Sequence, residues 1–123
     1  MRLLEIKSPG EFSLIQVTSH TDLSYIILSH TWTDGQEVIY QDLIRSAGYN
    51  KSSYNKIKFC GEQAAMDGLQ YFWVDTCCIN KSDTDELITA INSMFRWYRD
   101  AKKCYVYLAD VLVLAHDGDV QLS

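Results

Sequence analysis

"YIILS", Tyr25 to Ser29, is a near-continuous apolar run rich in β-forming residues. A strand with one solvated face alternates apolar and polar residues. A run without that alternation reads as a strand covered on both faces. Two further runs have the same character: "YFWVD", Tyr71 to Asp75, and "CYVYLA", Cys104 to Ala109. Helical spacing fills the intervals between the three. From Tyr54, apolar and small residues recur at Ile57, Cys60, Gly61, Ala64 and Ala65, which places them on one helix face. Ser53 stands where a helix N-cap belongs and Gly68 where a left-handed C-terminal stop belongs. In the second interval, Leu87, Ile88, Ile91, Met94, Phe95 and Tyr98 form an apolar stripe, widened by Ala90, Trp97 and Ala101. That stripe puts Phe95 in the core. Asp83 and Glu86 flank its start in a capping-box arrangement, Asp83 accepting from free backbone N–H groups and Glu86 reaching back.

Apolar strands alternating with helices imply an α/β fold with a parallel sheet and right-handed crossovers. The expectation is a flavodoxin-like sheet with strands at 25–29, 71–75 and 104–109 and helices at 53–67 and 84–101. "YIILS" is placed between the other two strands. The opening "MRLLEI" fits an edge strand over 2–6, "GQEVIYQDLI" a short helix or a turn, and "HDGD" a turn.

With 123 residues the chain has the length of one domain, and one proline with six glycines leaves no long linker. Net charge is −5 and the Lys and Arg residues are scattered, which argues against binding nucleic acid. There is no basic-then-apolar leader at the start, and no stretch approaches the roughly 18 apolar residues of a membrane span. The four cysteines, Cys60, Cys77, Cys78 and Cys104, read as reduced thiols of an intracellular, cytoplasmic protein.

Ligands of open parallel sheets bind beyond the carboxyl ends of the strands. That edge gathers Ser29, His30, Thr31 and Trp32 after the first strand, Asp75, Thr76, Cys77 and Cys78 after the second, and Asp110 after the third. A nucleophilic Cys77 would need His30 as its base and Asp75 or Asp110 to orient the ring. The opposing reading treats Cys77 and Cys78 as small buried hydrophobes, the usual fate of free cysteine. Adjacent cysteines with no neighbouring ligand do not fit zinc. No phosphate-cradling or dinucleotide fingerprint is present.

"MRLLEI", "YIILSHTW", "GLQYFWVDTCCINKSD" and "ELITAINSMFRWYRDAKKCYVYLADV" occur in an order that resembles the fungal heterokaryon-incompatibility (HET) domain. The resemblance runs with gaps from Met1 to about Val111. It implies a module of non-self recognition that triggers programmed cell death in fungi, often placed at the N-terminus of larger proteins with nucleotide-binding and repeat domains. It also implies kinship with Toll/interleukin-receptor (TIR) domains, some of which cleave NAD with a glutamate while others only assemble. The family's Trp-Thr-Leu-Gln-Glu-Leu segment has no counterpart between Val111 and Ser123. No position here inherits the TIR glutamate, and the chain reads as a partial domain. Glu86 lies one element too early and stands as a helix cap or an alternative acid.

Two functions follow as expectations. In the first, the chain signals through self-association or a protein partner, such as a nucleotide-binding or repeat-domain protein, and requires no cofactor. In the second, it hydrolyses NAD at the strand ends.

Overall fold

The expected central strand is where the sheet is most deeply covered. β3, Tyr25–His30, carries the burial run from Tyr25 to Leu28, with each of those residues at most 1% exposed. In the computed structural model, which describes residues 1–30, 35–108 and 111–117, β3 pairs in parallel with two neighbours. On one side is β4, Tyr71–Val74, with Ile27 opposite Trp73; on the other is β5, Lys103–Leu108, with Ile27 opposite Cys104. The order expected for these three strands is therefore present.

The sheet does not stop there. β1, Arg2–Ser8, pairs antiparallel with β4 and with β2, Glu11–Gln16. β6, Val111–Asp117, pairs antiparallel with β5. The six-stranded order is β2-β1-β4-β3-β5-β6. Most pairings are antiparallel, so the expected flavodoxin-like parallel sheet is corrected to a mixed α/β sheet with a parallel centre. The edge strand expected over 2–6 is longer and interior, because β2 folds back over it. Pro9 and Gly10 make that reversal, with Gly10 at φ +79°, a conformation glycine adopts without steric cost.

Two helices lie near their expected positions, α2, Tyr54–Met66, and α4, Thr84–Asp100; α1, Tyr40–Ile44, takes the helical one of the two alternatives, and α3, Asp75–Cys78, was not expected. Asp75 opens α3 rather than ending a strand. α2 ends in a Schellman arrangement, with Leu69 N–H donating to Ala64 O (2.8 Å), Gly68 N–H to Ala65 O (3.1 Å) and Gly68 at φ +77°.

Alternate residues of β4 show which face each helix covers. Phe72 meets Phe12 edge-on at 5.3 Å and approaches Gly61 of α2. Trp73 meets Trp97 and Tyr98 of α4. The two helices thus flank opposite faces of the parallel centre, as right-handed crossovers to opposite sides require.

α4 is turned differently from the expectation. Ala90 and Trp97 are buried, with Leu87, Met94 and Tyr98 packed against the core. Ile88, Ile91 and Phe95 point outward, at 52%, 60% and 75% exposure. Phe95 is therefore not core. The helix is apolar on two adjoining faces, and the larger Trp97 ring takes the inner one. Tyr25 fixes this rotation, its hydroxyl donating to Trp97 O at 2.6 Å.

Ile27→Ala should lower the unfolding free energy by about 2–5 kcal/mol, whereas Phe95→Ala should change it by no more than about 0.5 kcal/mol. Urea titrations of both variants check this; a large loss at Phe95 would mean the helix face is assigned wrongly.

Candidate functional site

The carboxyl ends of β3 and β4 deliver His30 and Asp75 side by side. His30 Nε2 lies 3.4 Å from Asp75 Oδ1, and the His30 side chain is almost wholly buried. Two residues that sequence reasoning did not place here complete the cluster. Glu37, from the segment before α1, sets Oε1 3.4 Å from His30 Nδ1. Lys56, in the first turn of α2, sets Nζ 3.2 Å from Glu37 Oε2 and 3.3 Å from His30 Nδ1. Ser53 donates its hydroxyl to Glu37 Oε2 at 2.9 Å. Ser53 is the N-cap residue of α2, but its side chain makes no capping bond. The expected cap is spent on Glu37 instead.

Glu37, Ser53 and Lys56 are all buried, at 7%, 3% and 9% exposure. A buried charge needs an opposite charge and hydrogen bonds close by, and here each carboxylate has a cation within reach. Asp75 continues the chain outward to Lys81, 3.6 Å away. Burial alone would raise the Asp75 pKa. The bond with His30 and the charge of Lys81 outweigh it and hold the carboxyl below its ordinary value. The ring of His30 has two ways to use Nδ1: accepting from Lys56, or donating to Glu37. These differ in where one imidazole proton sits. His30 thus stands between two carboxylates, Glu37 on its Nδ1 side and Asp75 on its Nε2 side.

The remaining expected residues fall into three groups. Ser29 precedes His30 on β3 but faces α4 rather than this cluster, and there it bonds the Tyr98 phenol, whose pKa is raised by burial. Thr76, Cys77 and Cys78 are buried in α3. Cys77 donates to Val74 O at 3.8 Å, and its pKa is pushed well up, first by its bond with Cys78 and then by burial. A thiol held protonated is a poor nucleophile, so the packing role is the one the geometry favours. Thr31, Trp32 and Asp110 lie outside the described residues.

Asp83 and Glu86 lie apart from the strand-end cluster. Asp83 caps α4, accepting from Glu86 N–H at 3.2 Å. Glu86 does not return the bond. Its carboxylate pairs with Arg2 and accepts from Asn80 N–H at 3.2 Å. Together with Trp73 and Trp97, Arg2 and Glu86 line a separate cavity of about 220 Å³. Among the described residues, no group of three or more His, Cys, Asp or Glu side chains is arranged to hold a metal ion.

Glu37 carried no local signal, whereas Lys56 carried one. Lys56 shares a helix face with Cys60 and Ala64, at successive intervals of four residues. A lysine on an inward face calls for a buried acid.

The model of the family "Heterokaryon incompatibility protein (HET)" matches residues 25–118, which include every element of this site. The chain belongs to the heterokaryon incompatibility family. It is 54% identical over 121 residues to "Vegetative incompatibility protein HET-E-1" of Podospora anserina, a match covering 97% of this chain and 9% of that relative. The chain thus spans about a tenth of the length of the HET relative it matches. No solved structure matches it.

Removing one member of the buried pair takes the counter-charge from the other. Lys56→Met and Glu37→Leu should each cost about 3–5 kcal/mol, and the double variant much less than their sum. Urea unfolding of the three variants measures the coupling. Asp75 gives a pH-dependent check. Its folded pKa lies below the unfolded one, so its contribution is present above the unfolded value and is lost as pH falls through the folded one. Asp75→Asn should therefore be less stable than the parent at pH 7, with the gap closing as pH falls below about 4.

Proposed function

We propose that this chain is a fungal incompatibility module that triggers cell death by associating with protein, either a second copy or a partner, without turnover of its own. Membership of the HET family supports the biological role. The observation that carries the mechanism is how the charged groups at the strand ends are used. Glu37, His30, Lys56 and Asp75 are engaged with one another in a buried network, while large apolar side chains face outward from α4. Such a network fixes the segment before α1 and the start of α2 onto the sheet, which is what a rigid recognition surface needs. The proposed setting is the cytoplasm. The four buried free cysteines are in keeping with a reducing compartment, and no helix among the described residues is long and apolar enough to cross a membrane. Partners carrying nucleotide-binding or repeat domains remain part of this proposal, as does a TIR-like ancestry.

A second reading has one specific observation in its favour. Glu37 is a buried carboxylate at the carboxyl edge of parallel strands, where α/β sheets bind ligands. In that reading the chain hydrolyses NAD: water adds to the ribose carbon as its bond to nicotinamide breaks, nicotinamide leaves, a proton passes to solvent, and the Glu37 carboxylate stabilises the positive charge that develops on the ribose.

Incubating the purified chain with NAD and following nicotinamide release separates the two. The association reading expects release no faster than in buffer. Enzyme-dependent release that is abolished in Glu37→Gln, with the variant still folded, would replace it with the second.

A further inference from the structure

We propose that the outward face of α4 is a self-complementary docking strip on which a second copy of this chain binds, the two α4 helices running antiparallel about a two-fold axis near Ile91. The inference rests on the association reading and names its partner and surface. Ile88, Ile91 and Phe95 are spaced three and four residues apart, so they form one exposed apolar strip. Its inner neighbours, Ala90, Met94 and Trp97, are already committed to the core. The strip is therefore surplus to folding.

The ends of the strip specify the occupant. Asp85 stands exposed at its N-terminal end and Arg96 at its C-terminal end, where the neighbouring Arg99 is already paired with Asp100 at 2.9 Å. From Asp85 to Arg99 is about 21 Å along the axis, at 1.5 Å per residue. Turning a second copy end for end about Ile91 brings Ile88 of one helix against Phe95 of the other, and Asp85 of one beside Arg96 of the other. A two-fold operation keeps both charge contacts on the same side of the pair, so both form at once. Opposed helix dipoles also favour this direction. A parallel pair would instead place Asp85 against Asp85 and arginine against arginine, which is disfavoured.

The size of the strip sets the strength. One face of α4 is about 25 Å long and about 10 Å wide, so the two faces together cover roughly 500 Å², well below the roughly 1,200–2,000 Å² of stable interfaces. Two free copies bind weakly, and pairing becomes substantial where copies are held together at high effective concentration.

The test is sedimentation equilibrium of the 123-residue chain across a wide concentration range, with melting curves run alongside. The chain should show a reversible monomer–dimer equilibrium. Phe95→Lys should weaken it by about tenfold or more while leaving the melting temperature nearly unchanged, since the ring is 75% exposed. Asp85→Arg and Arg96→Asp should each weaken it by a few-fold, and the double charge swap should restore it. Dimerisation untouched by these variants would overturn the α4 face and leave the association reading standing. A chain that stays monomeric throughout would overturn the second copy as occupant. The association reading would then be judged separately, by whether Phe95→Lys blocks cell death when the protein is expressed in a fungal host, as a partner-binding strip requires. Failure of the swap to restore dimers lost in the single variants would overturn the antiparallel arrangement.

Discussion

The structure depends on β3 having no free side. Its faces are covered by α2 and α4, and its edges are paired with β4 and β5. Such a strand cannot carry a polar residue between Tyr25 and Leu28 without stranding a group that finds no water. It also constrains its neighbours. Parallel pairing demands a crossover, and one crossover leads to β4 on one side while the next leads to β5 on the other. The two crossover helices then lie on opposite faces, and the loops leaving β3 and β4 end at the same edge. That is why His30 and Asp75 meet although 44 intervening residues separate them in the chain.

The parallel centre was legible for this reason: complete burial writes itself as an uninterrupted apolar run. The flanking strands left no such record. β2 reads Glu-Phe-Ser-Leu-Ile-Gln, in which Leu14 and Ile15 break the alternation that would mark a half-buried strand. β6 follows β5 after only two residues and ends at the "HDGD" turn signal, so its apolar residues read as a continuation of the run before them. α4 was legible as a helix and illegible as a surface. Apolar residues cover more than half its circumference, so periodicity alone could not say which part faces in. The choice is made by Trp73, which offers an edge-on contact to Trp97 at 5.7 Å, and by the large area an indole buries.

The candidate site was legible only as far as topology reaches. His30, Ser29 and Asp75 follow from the rule about strand ends. Glu37 and Lys56 come from a loop segment and a helix start that meet only in three dimensions, and no local motif joins them. The capping signals show the same limit. Ser53 and Glu86 each occupy the position that a cap requires, yet each gives its side chain to a distant partner, Glu37 and Arg2 respectively. Local sequence identifies what a side chain could bond, whereas the fold decides which bond it makes.

A buried ionic cluster is an expensive way to hold a loop. Desolvating each ion costs several kcal/mol even after relaxation, and a well-packed apolar replacement is often as stable. What the ions supply instead is direction. An apolar contact tolerates sliding, but Glu37 satisfies Ser53 and Lys56 in only one placement of the segment that precedes α1. Lys51 adds to this by donating to Glu37 O at 3.1 Å and to Asp42 Oδ2 at 2.7 Å, tying the same segment to α1. The cluster and the α4 strip thus lie on different parts of the molecule and meet different demands. One fixes a segment of backbone at the strand ends, and the other leaves a helix face uncovered. A chain selected for stability alone has reason for neither, since apolar packing could replace the first and polar residues could cover the second. Their coexistence is what the proposed association asks of the chain: a surface rigid where it would be read and adhesive where it would assemble.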